Sequence, residues 1–141
     1  MDKHSTYKKV YIHDSCNIYD TASIGEGTKI GAFVEVGYGV IIGKDCQIGA
    51  GSFIPENVII GDNVFVGPHT VFTNDKNPPS NGKWREEKPT TVLNGVVIGA
   101  NSTILPNIVL GNNSKIGAGS VVTKDIPPNE TWVGVPAKKH S

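Results

Sequence analysis

From Ile12 onward an apolar residue recurs at every sixth position: Ile12, Ile18, Ile24, Ile30, Val36, Ile42, Ile48, Ile54, Ile60, Val66 and Phe72. After a gap the beat resumes at Val92, Ile98, Ile104, Leu110, Ile116 and Val122. A period of six fits neither a helical stripe nor simple strand alternation, although a two-residue alternation is nested inside it. Repetition at a fixed short period points to a solenoid in which each hexad supplies one short strand and one corner. Three hexads then close a triangular coil of eighteen residues, with Ile12, Ile30, Ile48 and Val66 stacked as one ladder. Ten of the beat residues are followed by Gly, as in "IGEGTK" and "IGAGSF", which reads as freedom to turn a sharp corner. Four positions after each beat comes a small or β-branched residue, such as Ala22, Thr28, Ser52, Val64, Ser102 or Ser120, suited to a narrow interior. The seventeen hexads predict five to six coils, a prism roughly 27 Å tall at the usual strand spacing. The general rule for parallel crossovers favours a right-handed coil.

The remaining chemistry of the chain narrows its class. At 141 residues, 1–141 reads as a single domain. Thirteen basic and thirteen acidic side chains cancel, so no overall field draws in nucleic acid or an anionic membrane. The opening "MDKHSTYKKV" lacks the apolar core of a signal peptide and no segment is long enough to span a membrane. The expectation is a soluble cytoplasmic protein. Cys16 and Cys46 occupy small interior positions, thirty residues apart and so on different faces, and are expected not to pair.

One stretch keeps no beat. In "VFTNDKNPPSNGKWREEKPTTV" the next hexad is due at residue 78 but begins at Val92, so fourteen residues are extruded from a corner, in a loop of about 73–91. Out and back, a loop of that length reaches roughly 20 Å, far enough to touch a neighbouring copy. Trp84 and the prolines favour an ordered loop, and long ordered loops in compact domains commonly carry function.

The repeats, together with "IGANSTILPNIVLGNNSKIGAGSVVTKDIPPNETWVGVPAK", resemble the hexapeptide-repeat acyltransferases over nearly the whole chain, from about Ile12 to Lys138. The segment "GPHTVFTNDKNPPS" resembles the members that acetylate the 3-amino group of a nucleotide-linked deoxysugar. The resemblance implies an all-β, left-handed parallel β-helix working as a homotrimer. It also implies acetyl-CoA as donor and a dTDP- or UDP-linked amino sugar as acceptor, in surface polysaccharide synthesis. Relatives that acetylate a hydroxyl carry a basic His in the segment where this chain reads Asn74, Asp75, Lys76, Asn77. A hydroxyl needs a base to become nucleophilic, whereas the unprotonated fraction of an amine already is, so the departure suits N-acetylation.

Candidate catalytic residues are Asn74, to hold the amine in line, and His69 and Asp75, to accept a proton. His69 lies one step off an interior position, so it should project outward beside the base of the loop. Lys83, Trp84 and Arg85, with Lys88 nearby, are candidates for the nucleotide, the cations for phosphate and the indole for the base. By resemblance, pantetheine passes the small residues Ala100 and Ala118, and Lys124, Lys138 and Lys139 are candidates for the phosphates of coenzyme A. No metal is expected, because the four His (His4, His13, His69, His140) offer one well-placed ligand and not three. The first coil near Val10 and the "IPPNETWVGVP" segment read as end caps. Two other functions fit the same residues: an O-acetyltransferase with His69 as base, and a non-catalytic scaffold that binds partners on its flat faces.

Overall fold

The computed structural model describes residues 9–140, so His4 lies outside the described residues. Two-residue strands recur with the predicted eighteen-residue register: Ile12 pairs with Ile30, Ile30 with Ile48 and Ile48 with Val66, all in parallel. The next step runs from Val66 to Ile98, because the extruded loop lies between them. The strands fall into three parallel stacks, the faces of a triangular prism. Face one carries Tyr11–Ile12 and its successors, face two Asn17–Ile18 and its successors, and face three Ser23–Ile24 and its successors. The fold is a left-handed parallel β-helix, as the family resemblance implies and against the general crossover rule, and is all-β among the described residues apart from one 3-10 turn at Lys83–Glu86.

Burial follows the repeat. Every beat residue from Ile12 to Val122 is buried, and its predecessor in each strand faces outward. The small interior positions are also buried, and the hydroxyls of Thr28, Ser52, Thr70, Ser102 and Ser120 find carbonyl partners. Thr28 Oγ1 donates to Gly43 O at 2.7 Å and Ser52 Oγ to Gly67 O at 3.1 Å. Ser120 Oγ donates to Gly117 O at 2.6 Å. Polar atoms are thus tolerated inside a narrow core because these corners present a carbonyl to receive them. Ser114 Oγ is buried without a partner. Cys16 and Cys46 are buried and form no disulfide, as expected from their places on different faces. Burial pushes the Cys46 thiol above its ordinary pKa.

The role read for the glycines needs correcting. The Gly after each beat residue does not have positive φ; it is required because consecutive coils touch there. A Cβ on Gly67 would lie 2.6 Å from Ala100 N, and one on Gly37 2.6 Å from Glu56 N. The left-handed backbone sits two residues further on, at Asn57 (φ 76°), Asn101 (φ 60°), Asn107 (φ 66°) and Asn113 (φ 60°), among others. Asn tolerates that conformation better than most residues.

The solenoid is also longer than the beat implied. Ile126 bridges Leu110, and Thr131–Trp132 pairs in parallel with Lys115–Ile116, giving face one seven parallel strands. The eye loses this coil because it is two residues short: Ile116 pairs with Trp132, sixteen positions on. Asp125 Oδ1 accepts from Val109 N at 2.8 Å and takes the place of a missing backbone carbonyl. "IPPNETWVGVP" therefore continues the prism, and the cap is the antiparallel strand Ala137–Lys139 that folds back on Thr131–Gly134.

Candidate active site

Hydrogen bonds between coils define a column along the corner joining faces one and two. His69 N donates to Ala50 O at 2.8 Å, Asn101 N to Pro68 O at 3.0 Å, and Gly119 N to Ala100 O at 2.8 Å. His69, Ala100 and Ala118 therefore climb one edge of the prism. His69 turns this corner in the left-handed conformation (φ 57°) and is exposed, and its ring covers Gly51 of the coil before, where a side chain would collide with it. At the C-terminal end of the same edge Val133 packs over Gly117 and pairs with Lys138, and Gly134 N donates to Ser120 Oγ at 3.0 Å. Lys138 thus belongs to the edge that holds Ala100 and Ala118. Lys124 does not: it lies at the corner joining faces two and three, just after Val121–Val122.

The loop departs from that second corner, between Val71–Phe72 on face two and Thr90–Val92 on face three. It therefore ends two residues earlier than the beat suggested. His69 stands one corner before the loop and not beside its base. Sequence reading missed this because a single two-residue strand, Val71–Phe72, is enough to change corners.

The loop is tied down at both ends. Asn57, in the coil below, donates from Nδ2 to Glu87 O and Lys88 O, each at 3.3 Å. Asn107, in the coil above, donates to Lys88 O at 2.6 Å. At the other end Asp75 Oδ2 accepts from Ser80 N at 2.8 Å, so this candidate acid closes the first turn of the loop. Arg85 Nε donates to Glu56 Oε2 at 3.0 Å, and the guanidinium carbon lies 4.5 Å from the centre of the Trp84 ring. Arg85, read from sequence as a phosphate ligand, is thus already engaged; its partner Glu56 carried no signal in the repeat. Asn74 is half-buried at the root of the loop, and its side chain makes no hydrogen bond among the described residues.

Two concavities stand out. One of about 200 Å³ is lined by Asp75, Lys76, Asn77, Ser80, Lys83, Trp84 and Glu87. The other, about 1050 Å³, is a broad apolar groove on face one at the N-terminal end, walled by Tyr11, Lys29, Gln47 and Phe65. The larger one holds none of the candidate catalytic residues, and its flat shape suits a packing surface better than a reaction site. Among the described residues no three His, Cys, Asp or Glu gather as metal ligands, and no helix is long and apolar enough to cross a membrane.

The family described as bacterial transferase hexapeptide (six repeats) matches residues 39–74 and 89–124, and a hexapeptide repeat of succinyl-transferase matches 21–55. The chain belongs to the bacterial hexapeptide transferase family. The break in the match, 75–88, falls on the extruded loop. No curated protein sequence matches the chain. Among solved structures, a mutant of GDP-perosamine N-acetyl transferase from Caulobacter crescentus, in complex with CoA and GDP-perosamine, is 23% identical with a TM-score of 0.81. That match covers 94% of this chain and 56% of the other. AntD, an N-acyltransferase from Bacillus cereus in complex with dTDP and 3-hydroxybutyryl-CoA, is 26% identical with a TM-score of 0.82, covering 94% of this chain and 79% of that one. The acetyltransferase domain of PglB from Neisseria gonorrhoeae FA1090 is 21% identical with a TM-score of 0.81, covering 93% and 57%. The chain thus spans little more than half the length of the first and third of these proteins.

Proposed function

We propose that this chain transfers an acetyl group from acetyl-CoA to the amine of a nucleotide-linked amino deoxysugar. The observation that carries the reading is the edge on which His69, Ala100, Ala118 and Lys138 line up. Small residues there leave room for an extended thioester arm, and a basic residue at its end suits phosphate. Three neighbours of the same fold act as N-acyl- or acetyltransferases by name, and two of them bind CoA or an acyl-CoA together with a nucleotide or nucleotide sugar.

In the reaction the amine nitrogen attacks the thioester carbonyl, a C–N bond forms, the C–S bond breaks, and the proton released ends on the coenzyme A thiolate. Asn74, at the root of the loop, holds the amine in line; His69 takes the proton and passes it on. Asp75, bonded to Ser80 N, shapes the loop and acts on the proton only through its charge. Because His69 and Asn74 occupy different corners, the complete site forms between the first corner of one protomer and the loop of the next. We propose a homotrimer for this reason. The apolar wall around Phe65 and Tyr11 offers surface for such packing.

The 3-amino position rests on the segment "GPHTVFTNDKNPPS"; AntD has been captured with a dTDP-4-amino-4,6-dideoxyglucose. The test is thiol release from acetyl-CoA with dTDP-, UDP- and GDP-linked 3-amino and 4-amino sugars beside their hydroxyl counterparts. Turnover confined to an amine establishes the reaction and its carrier. Turnover only of hydroxyls makes the chain an O-acetyltransferase, and absence of coenzyme A binding makes it a scaffold.

A further inference from the structure

The small loop pocket carries two ammonium groups, Lys76 and Lys83, and two carboxylates, Asp75 and Glu87, with the amide of Asn77 and the ring of Trp84. The signs balance, so the pocket has no net positive charge to set against a diphosphate. It offers instead donors and acceptors around an aromatic surface, the set that recognises a neutral, flat ring with hydrogen-bonding edges. At about 200 Å³ it lies below the roughly 300 Å³ at which pockets begin to hold whole ligands. One ring fits, not an entire nucleotide.

Trp84 is braced for contact. Arg85, the only arginine in the chain, sits over its ring at 4.5 Å and is anchored through Nε to Glu56 on the prism. The pocket borders Trp84 without bordering Arg85, so the cation holds the indole without obstructing the cavity.

We propose that this pocket seats the nucleobase of the sugar nucleotide, a single-ring pyrimidine stacked on Trp84, and that Arg85 and Glu56 are positioning residues and not phosphate ligands. The proposal rests on the sugar-nucleotide reading above for the identity of the ligand.

Calorimetric binding of dTDP, UDP, GDP and inorganic pyrophosphate to the full chain tests it. A pyrimidine nucleotide should bind more tightly than GDP or pyrophosphate. Trp84→Ala should weaken that nucleotide about ten- to a hundredfold, the scale of one base–aromatic stack, while Trp84→Phe keeps most of the affinity. Lys83→Ala, at an exposed position, should weaken it several-fold. Glu56→Gln should do the same with the melting temperature unchanged. Pyrophosphate binding as tightly as dTDP and UDP, a preference for GDP, indifference to both Trp84→Ala and Lys83→Ala, or no nucleotide binding at all overturns the proposal. The catalytic reading fails separately. Thiol release by wild type with unaltered nucleotide affinity in Trp84→Ala removes the seat and leaves the enzyme; Trp84-dependent binding without any acetyl transfer does the reverse.

Discussion

His69 and Asn74, five residues apart in the chain, stand at different corners of the prism because the strand Val71–Phe72 crosses face two between them. The reaction centre proposed above therefore draws His69 from one protomer and Asn74 from the next. The proposed shared site predicts that mixed assemblies of His69→Ala and Asn74→Ala subunits regain activity well above that of either variant alone, since some grooves then unite an intact His69 with an intact Asn74. Thiol release after co-refolding measures this. Mixtures no more active than their components would sink the shared site.

The proton-transfer role proposed for His69 has its own signature. His69→Ala should lower kcat/KM about a hundredfold near neutral pH, the lower end for a general base. The deficit should shrink as pH rises, because hydroxide can then take the proton that the nitrogen sheds after attack. A deficit independent of pH would leave His69 as a contact residue.

Close stacking of coils predicts a contrast between two glycines. Gly67→Ala drives a Cβ to 2.6 Å from Ala100 N and should cost about 2 kcal/mol, as overpacking does. Gly119, at φ 69°, has open space where a Cβ would stand, with no atom within 4 Å, and Asn already fills the equivalent place at Asn101. Gly119→Asn should stay within about 1 kcal/mol of wild type by chemical denaturation.

Ser114 offers a stabilising change. Its hydroxyl is buried without a hydrogen-bond partner, and Ser114→Ala removes that unmet group. A gain of about 1 kcal/mol is expected, seen as a melting temperature higher by a few degrees. A decrease would mean that the hydroxyl is satisfied in solution.

Cys46 predicts a slope in stability at alkaline pH. Its folded-state pKa is raised, chiefly by burial, so the unfolded chain loses the thiol proton first. The stabilisation is fully present below the ordinary thiol range of about 8.5 and is lost as pH rises through the folded value. Compared with Cys46→Ala, wild type should lose more stability between neutral pH and pH of about 10, measured by urea melts at each pH.

Most of the solenoid was legible because each beat residue must be buried on its own, whatever surrounds it. The ladder from Ile12 to Val66 and the break before Val92 needed only the spacing. Ile126 and Trp132 escaped because Asp125 shortens one corner by supplying an acceptor from its side chain, a substitution invisible to a period. The loop was legible as an interruption, but its 3-10 turn at Lys83–Glu86 and its anchors Asn57, Glu56 and Asn107 were not. Those contacts join residues from different coils and obey no spacing along the chain.

Local alternation and the need to bury apolar groups were enough to set the coil, its register and which side chains point inward. Which corner each candidate residue occupies emerges only in the folded prism. There too Arg85 is seen to brace Trp84, and Lys138, not Lys124, to share the edge with Ala100 and Ala118. A corner is set by the running count of every preceding strand and turn, so one shortened or lengthened turn moves all that follows to new neighbours.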